Sequence, residues 1–235
     1  MALKFNNNKT LYEELAKKDL PLDEKDYVLL QYSDYFEDGN EKKIKSKNLG
    51  EKFAAINSFF LDYLKEYHIP AAFLKSQDKT TLRFIKHQRF PFYVRVVNHI
   101  DKRTAKIFNK KEGELLSLPV FELHHGSGKD SLITESHLIT FDLCSVEDLK
   151  LINRICSKAN AVLKSFFERR NIHLLEFICC FGKQDEKVYI VDDFTPRSLK
   201  LLPFEENQKW VNPYKVSTPS EAKKYTEQLY NLTSA

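Results

Sequence analysis

The run Tyr27-Val28-Leu29-Leu30-Gln31-Tyr32 is almost wholly apolar and predicts a buried strand, followed by a polar turn region through Asp38-Gly39. From Glu51 to Tyr67 the apolar positions move to helical spacing, with Phe53, Ile56, Phe59, Phe60, Tyr63 and Leu64 on one face, and Pro70 stops the helix. Strands are predicted at Thr81 to Lys86 and Phe92 to Val97, separated by a turn near Pro91. The longest periodic stretch runs from Val146 to Arg170. Leu149, Ile152, Cys156, Ala159, Leu163 and the Phe166-Phe167 pair form its stripe, which predicts a core helix, and Ser145 with Asp148 resembles a capping pair at its start. Leu174 to Phe181 and Lys187 to Asp192 read as strand, turn and strand, the turn running from Gly182 to Glu186. The first of these strands is nearly continuous in apolar residues, as a central strand is. Thr218-Pro219-Ser220-Glu221 opens a last helix with proline at its first position.

These elements define an α+β chain with a β-rich first part (1–90) and a helix-bearing α/β second part (91–235). With 235 residues, 42% of them hydrophobic, the chain is long enough to pack a sizeable core, which excludes disordered and low-complexity classes. The formal charge of +4 comes from 37 basic and 33 acidic residues interleaved along the chain, a pattern that does not point to nucleic acid. The densest basic run, Lys42, Lys43, Lys45 and Lys47, reads as a solvated loop. Neither a leader-like apolar segment nor a membrane-length run occurs, so no membrane partner is expected. Cys144, Cys156, Cys179 and Cys180 lack metal-site or disulfide-framework spacing, which implies reduced thiols and a cytoplasmic location.

Candidate chemistry is sparse. Gly126-Ser127-Gly128-Lys129-Asp130-Ser131 suggests a phosphate loop, but Leu123 stands where the first glycine belongs and Asp130 where Ser or Thr is needed; a flexible loop fits better. His124 and His125 are adjacent and point to opposite faces of a strand, which does not make a zinc site. Asp192-Asp193, at the end of the apolar strand Val188 to Val191, is suited either to holding Mg²⁺ with a nucleotide phosphate or to a solvated strand end.

Taken in order, the segments resemble the SAICAR synthetases. Leu11-Tyr12 with Ala16-Lys17 is similar to that family's opening LYxGKAK loop, and Tyr27 to Asp34 to its first long strand. The Gly50 to Leu64 helix, His68-Ile69-Pro70, Lys86…Pro91…Val96, Pro119 to Leu123 and Glu135-Ser136 follow in the family's order. Leu174 to Gly182 and Asp192-Asp193-Phe194-Thr195-Pro196 resemble LVDFKLEFG and DEFSPD, so the similarity runs from about residue 11 to 203. The resemblance implies a two-lobed fold with an ATP cleft between the lobes. It also implies a purine-biosynthetic ligase that joins aspartate to a carboxylated aminoimidazole ribotide, using ATP and Mg²⁺. Carried over residue by residue, it gives Lys17 and Lys86 to ATP, Asp192 to the metal, and Arg95, Arg103, Lys200 and Asp34 to the anionic acceptor. A nucleotide and a small anionic substrate are thus the implied partners, and an oligomer is compatible with the sequence.

The chain departs from the family pattern at several of these contacts. Glu14 and Leu15 replace a loop glycine and lysine; Glu176, Ile178 and Cys180 replace an aspartate, a lysine and a metal-binding glutamate. Tyr93 replaces a glutamate and Val97 an arginine, with Arg95 two positions earlier on the same strand face. Phe53-Ala54 replaces an asparagine pair, Lys102-Arg103 a Gly-Ser end, Arg197 an aspartate and Lys200 an arginine. Two functions are compatible with this pattern: an ATP-dependent amide-forming ligase, or a catalytically degenerate homologue that acts by binding.

Overall fold

A computed structural model of the chain describes residues 27–37, 43–126, 131–191, 193–205 and 209–234. The predicted opening strand forms as β1 (Tyr27–Gln31). It is followed by a short antiparallel ladder of β2 (Tyr35–Glu37) and β3 (Lys43–Lys45), so part of the basic run expected to be loop is strand. Helix α1 (Leu49–Glu66) comes next, burying Phe53, Ile56, Phe60 and Leu64 of the predicted stripe together with Leu61, while Phe59 and Tyr63 are half-buried. Gly50 is needed at its start, because a Cβ there would lie 2.6 Å from the Tyr32 carbonyl oxygen. Strands β4 (Phe73–Ser76) and β5 (Thr81–Ile85) complete a three-stranded antiparallel sheet of order β1-β5-β4.

Lys86 and His87 alone connect β5 to β6 (Gln88–His99). Pro91 therefore lies inside a strand, not in the turn its sequence suggested. The ladder from β6 to its neighbour slips between Arg89 and Tyr93, so the amide proton that proline lacks is not missed there. Then come α2 (Lys102–Phe108), β7 (Leu115–His124), β8 (Leu132–Ile133), α3 (Glu135–Thr140) and α4 (Val146–Glu168). The chain closes with β9 (Ile172–Gln184), β10 (Lys187–Ile190), β11 (Lys200–Pro203) and α5 (Pro219–Thr233). The larger sheet has the order β10-β9-β6-β7-β8, with β11 pairing along β9 as well. Gly182 falls within β9 and not in a turn: it lies beneath His87, where a Cβ would come within 2.4 Å of the imidazole. A parallel bridge between Ala71 and Ile190 ties the smaller sheet's flank to β10.

Alternation along β6 and β9 fixes which face does what. Val94, Val96, Phe177 and Cys179 are buried on the face that packs on α4, whose Ile152, Cys156, Ala159 and Leu163 form the predicted stripe. Ser145 caps α4 by accepting from the Asp148 amide at 3.0 Å, while the Asp148 carboxylate is engaged by Lys183. The α4 end meets α1 through Phe59, Phe60, Phe166 and Phe167, whose ring centroids lie 5.1 to 5.6 Å apart. Helix α5 packs on α1 and opens with the expected capping box between Thr218 and Glu221. Its buried Tyr225 hydroxyl donates to the Leu199 carbonyl at 2.9 Å and accepts from the Leu201 amide at 3.1 Å. That clamp holds the backbone on either side of Lys200.

Candidate active site

The face of the larger sheet away from α4 carries the charged residues. Register places His124, Tyr93 and Cys180 in one row across β7, β6 and β9, and Glu122, Arg95 and Ile178 in the next. A third row holds Val120, Val97 and Glu176, with Lys200 of β11 opposite Glu176. Arg95 and Val97 thus share a face, as their spacing requires.

Arg95 is the centre of this face. Its Nη1 donates to Glu122 Oε2 at 2.7 Å and to Asp101 Oδ2 at 3.1 Å, and its Nε donates to Glu176 Oε2 at 3.1 Å. Arg103 engages the second Glu122 oxygen. Asp101 also caps α2, accepting from the Thr104 amide at 2.8 Å. Burial works against the Arg95 charge, but Glu176 and Glu122 outweigh it and raise its pKa further. Burial likewise pushes the Glu122 carboxyl up, yet the neighbouring His124 and Arg95 hold it down at about 2. Asp101 is held at about 2 despite its burial, by Thr104 and Arg95.

Lys200 differs from both arginines. Among the described residues no carboxylate stands at ion-pair distance from it. Burial pushes its ammonium down to about 8, with Glu176 acting in the opposite sense and Arg95 adding to the fall. Tyr214 roofs the same corner. Its hydroxyl pKa is raised, first by burial and then by Glu176. His99 Nδ1 lies 3.2 Å from the carbonyl of Leu175, the residue bulged out of the β9–β11 ladder. Donation there leaves Nε2 as an acceptor, 3.4 Å from the Tyr214 hydroxyl.

Three of the four expected acceptor residues, Arg95, Arg103 and Lys200, are therefore brought to one face. Asp34 is placed elsewhere: its carboxylate accepts from the Gly50 amide at 3.0 Å, at the start of α1. Lys86 is exposed in the link between the two sheets. Lys17 and Asp192 lie outside the described residues, as do Glu14, Leu15 and the Ser127 to Asp130 stretch of the glycine-rich loop. Arg197 and Asp193 form a buried ion pair, and the guanidinium lies 5.0 Å from the Phe53 ring centroid and 5.9 Å from that of Tyr32. Asn57 fastens the same segment to α1 by accepting from the Phe194 amide at 2.9 Å. Among the described residues no group of three or more His, Cys, Asp or Glu could hold a metal. Cys180 is buried and its soft thiol does not suit Mg²⁺, which takes hard oxygen ligands. Asp101, Glu122, His99 and Tyr214 received no role from sequence. The one signal available was a charged residue, Glu122, inside an otherwise apolar strand.

The α+β fold thus gathers cations and carboxylates on one face of its largest sheet. The chain belongs to the SAICAR synthetase family, whose sequence model matches residues 10–218. It is 29% identical over 203 residues to phosphoribosylaminoimidazole-succinocarboxamide synthase of Finegoldia magna, covering 85% of this chain and 88% of that one. Identity to the enzyme of the same name from Fusobacterium nucleatum is 30%, over 84% of this chain and 85% of the relative. Among solved structures, a SAICAR synthetase in complex with ADP superposes with a TM-score of 0.81 at 23% identity, covering 93% of this chain and 95% of that one. The Ehrlichia chaffeensis enzyme gives 0.80 at 20% identity, over 95% and 99% of the two chains. At such identities these structures establish the fold. No helix among the described residues is long and apolar enough to cross a membrane.

Proposed function

We propose that the chain is an ATP-dependent carbon–nitrogen ligase of the SAICAR synthetase type, in which the Arg95 face receives the anionic acceptor. The observation that carries this reading is the convergence of Arg95, Arg103 and Lys200 around Glu122 and Glu176 on one sheet face. In this reaction the γ-phosphoryl group of ATP passes to a carboxylate oxygen, giving an acyl phosphate and ADP. The amine of aspartate then attacks the acyl carbon, inorganic phosphate leaves, and the amine gives up a proton. Lys200 is the acceptor contact, because among the described residues it has no carboxylate partner to release first. Arg95 fixes Glu122, Glu176 and Asp101 in place and acts as a positioning residue. Lys17 and Lys86 are assigned to the nucleotide, in keeping with the ADP complex of the solved relative. Mg²⁺ is assigned to Asp192 on the same resemblance, and among the described residues no group of His, Cys, Asp or Glu makes a site for the ion. A lobe division near residue 90 and a cytoplasmic location accompany this reading, the latter supported by four cysteines outside any disulfide.

The second reading, a homologue that binds without turnover, is favoured by Cys180 at a metal-ligand position and by the saturation of Arg95. One titration separates them. ADP or ATP with Mg²⁺, at about a hundred times its dissociation constant, should stabilise the folded chain by roughly 2.7 kcal/mol. Aspartate and the carboxylated ribotide should then release phosphate. Nucleotide stabilisation without phosphate release from any carboxylate–amine pair supports the second reading; no stabilisation by any nucleotide overturns the first.

A further inference from the structure

The charges on the Arg95 face balance. Among the described residues Arg95, Arg103 and Lys200 are its cations, and Asp101, Glu122 and Glu176 its carboxylates, three against three. The pairing is also tight. A guanidinium has five N–H donors. Four contacts from Arg95 already end on these carboxylates, one on Asp101, one on Glu122 and two on Glu176. Arg103 takes the Glu122 oxygen that Arg95 leaves. Lys102 and Lys106 of α2 are exposed at the rim, where water and salt screen them.

The carboxylates do not give way by taking up protons. Glu122 and Asp101 are both held at about 2, far below neutral pH. An incoming anion must therefore compete with them for Arg95 and Arg103, or use the one cation outside the network. Competition is costly, because Glu122 and Glu176 are buried, and a buried carboxylate that loses its cation is left uncompensated. Lys200 is the cation outside the network. It stands in register with Glu176, with no carboxylate at ion-pair distance among the described residues.

Counting charge then sorts the ligands. A carboxylate brings one negative charge, which Lys200 offsets. A phosphate monoester brings roughly −1.5 to −2 at pH 7, and the carboxylated ribotide carries both groups. The row that starts at Lys200 continues through Glu176 to Val97 and Val120, which offer no further donor side chain. A second anionic group on this face meets valines or carboxylates already paired.

We infer that the acceptor face takes a monocarboxylate without a phosphate group: Lys200 holds the carboxylate, and the salt-bridged Arg95 cluster turns phosphate monoesters away. The inference rests on the reading of this face as the acceptor site and narrows its substrate class, making the ribotide the poorer acceptor. Its test reads binding, with neither nucleotide nor turnover. Isothermal titration calorimetry of the full chain, at pH 7 in low salt, compares the carboxylated aminoimidazole riboside with the corresponding ribotide. The riboside is expected to bind at least tenfold tighter, and Lys200→Met should lose at least tenfold of that affinity. Glu122→Gln and, separately, Asp101→Asn should each tighten the ribotide at least tenfold by freeing guanidinium donors. Asparagine caps a helix as aspartate does, so Asp101→Asn keeps the start of α2 in place. A ribotide that binds the unaltered chain as tightly as the riboside, or a riboside that does not bind, overturns the inference. Selective riboside binding by a chain that no nucleotide stabilises upholds it and fails the ligase reading alone.

Discussion

At the scale of single residues, the Arg95 cluster combines three carboxylates and two guanidiniums in a partly buried setting, where each charge is tolerated because of the others. Removing the central cation leaves Glu122, Glu176 and Asp101 facing one another. Arg95→Met is therefore expected to cost about 3–5 kcal/mol at pH 7 in urea unfolding. The pH dependence has a definite sign. Glu122 has a folded pKa near 2 against an ordinary 4.5, so its contribution is complete above pH 4.5 and lost as pH falls toward 2. The gap between Arg95→Met and the unaltered chain should narrow over that window, and a gap that stays constant would contradict the pairing. Lys200 behaves in the opposite way. Its folded pKa of about 8 lies below the ordinary 10.5, so the fold disfavours its charge, fully below pH 8 and no longer at pH 10.5. Lys200→Met should raise the melting temperature at pH 7, and the difference should disappear by pH 10.5.

At the scale of elements, α5 helps to place Lys200 without touching a ligand. Tyr225 holds both Leu199 and Leu201, which are buried, so Tyr225→Phe strands a carbonyl and an amide in the interior. The expected cost is about 1–3 kcal/mol. Amide exchange should accelerate selectively in β11; uniform acceleration across the chain would show that the hydroxyl serves global stability alone. The three long helices were legible from sequence because their signals are local, whereas the short α2 and α3 have no apolar stripe long enough to read. Apolar spacing located α1 and α4, and Ser145 and Thr218 marked the starts of α4 and α5. The strands were less legible. Pro91 and Gly182 carry the usual marks of a turn, yet both sit within strands. One falls at a ladder slip and the other beneath a neighbouring imidazole, and neither circumstance can be read from nearest neighbours.

At the scale of the whole molecule, the two sheets are joined by Lys86-His87, and the closeness of that join depends on Gly182. Gly182→Ala would drive a methyl group into the His87 ring and the Val191 side chain, at an expected cost of about 1–3 kcal/mol. His87→Ala in the same chain should recover most of it; a double variant no better than the single one would place the strain elsewhere.

The sequence by itself determined the three long helices, the apolar strands, the α+β class and the family, since all of these reside in local periodicity and in segment order. It also determined that Arg95 and Val97 share a face, because strand side chains alternate. What only the tertiary structure decided is which charges meet. Glu122 and Glu176 reach Arg95 through pairing across β6, β7 and β9, Asp101 reaches it from the start of α2, and β11 sets Lys200 in register with Glu176 without an ion pair between them. Register between strands far apart in the chain sets those distances. It turned Arg95 from a free anion contact into a neutralised centre, and left Lys200 without a carboxylate partner among the described residues.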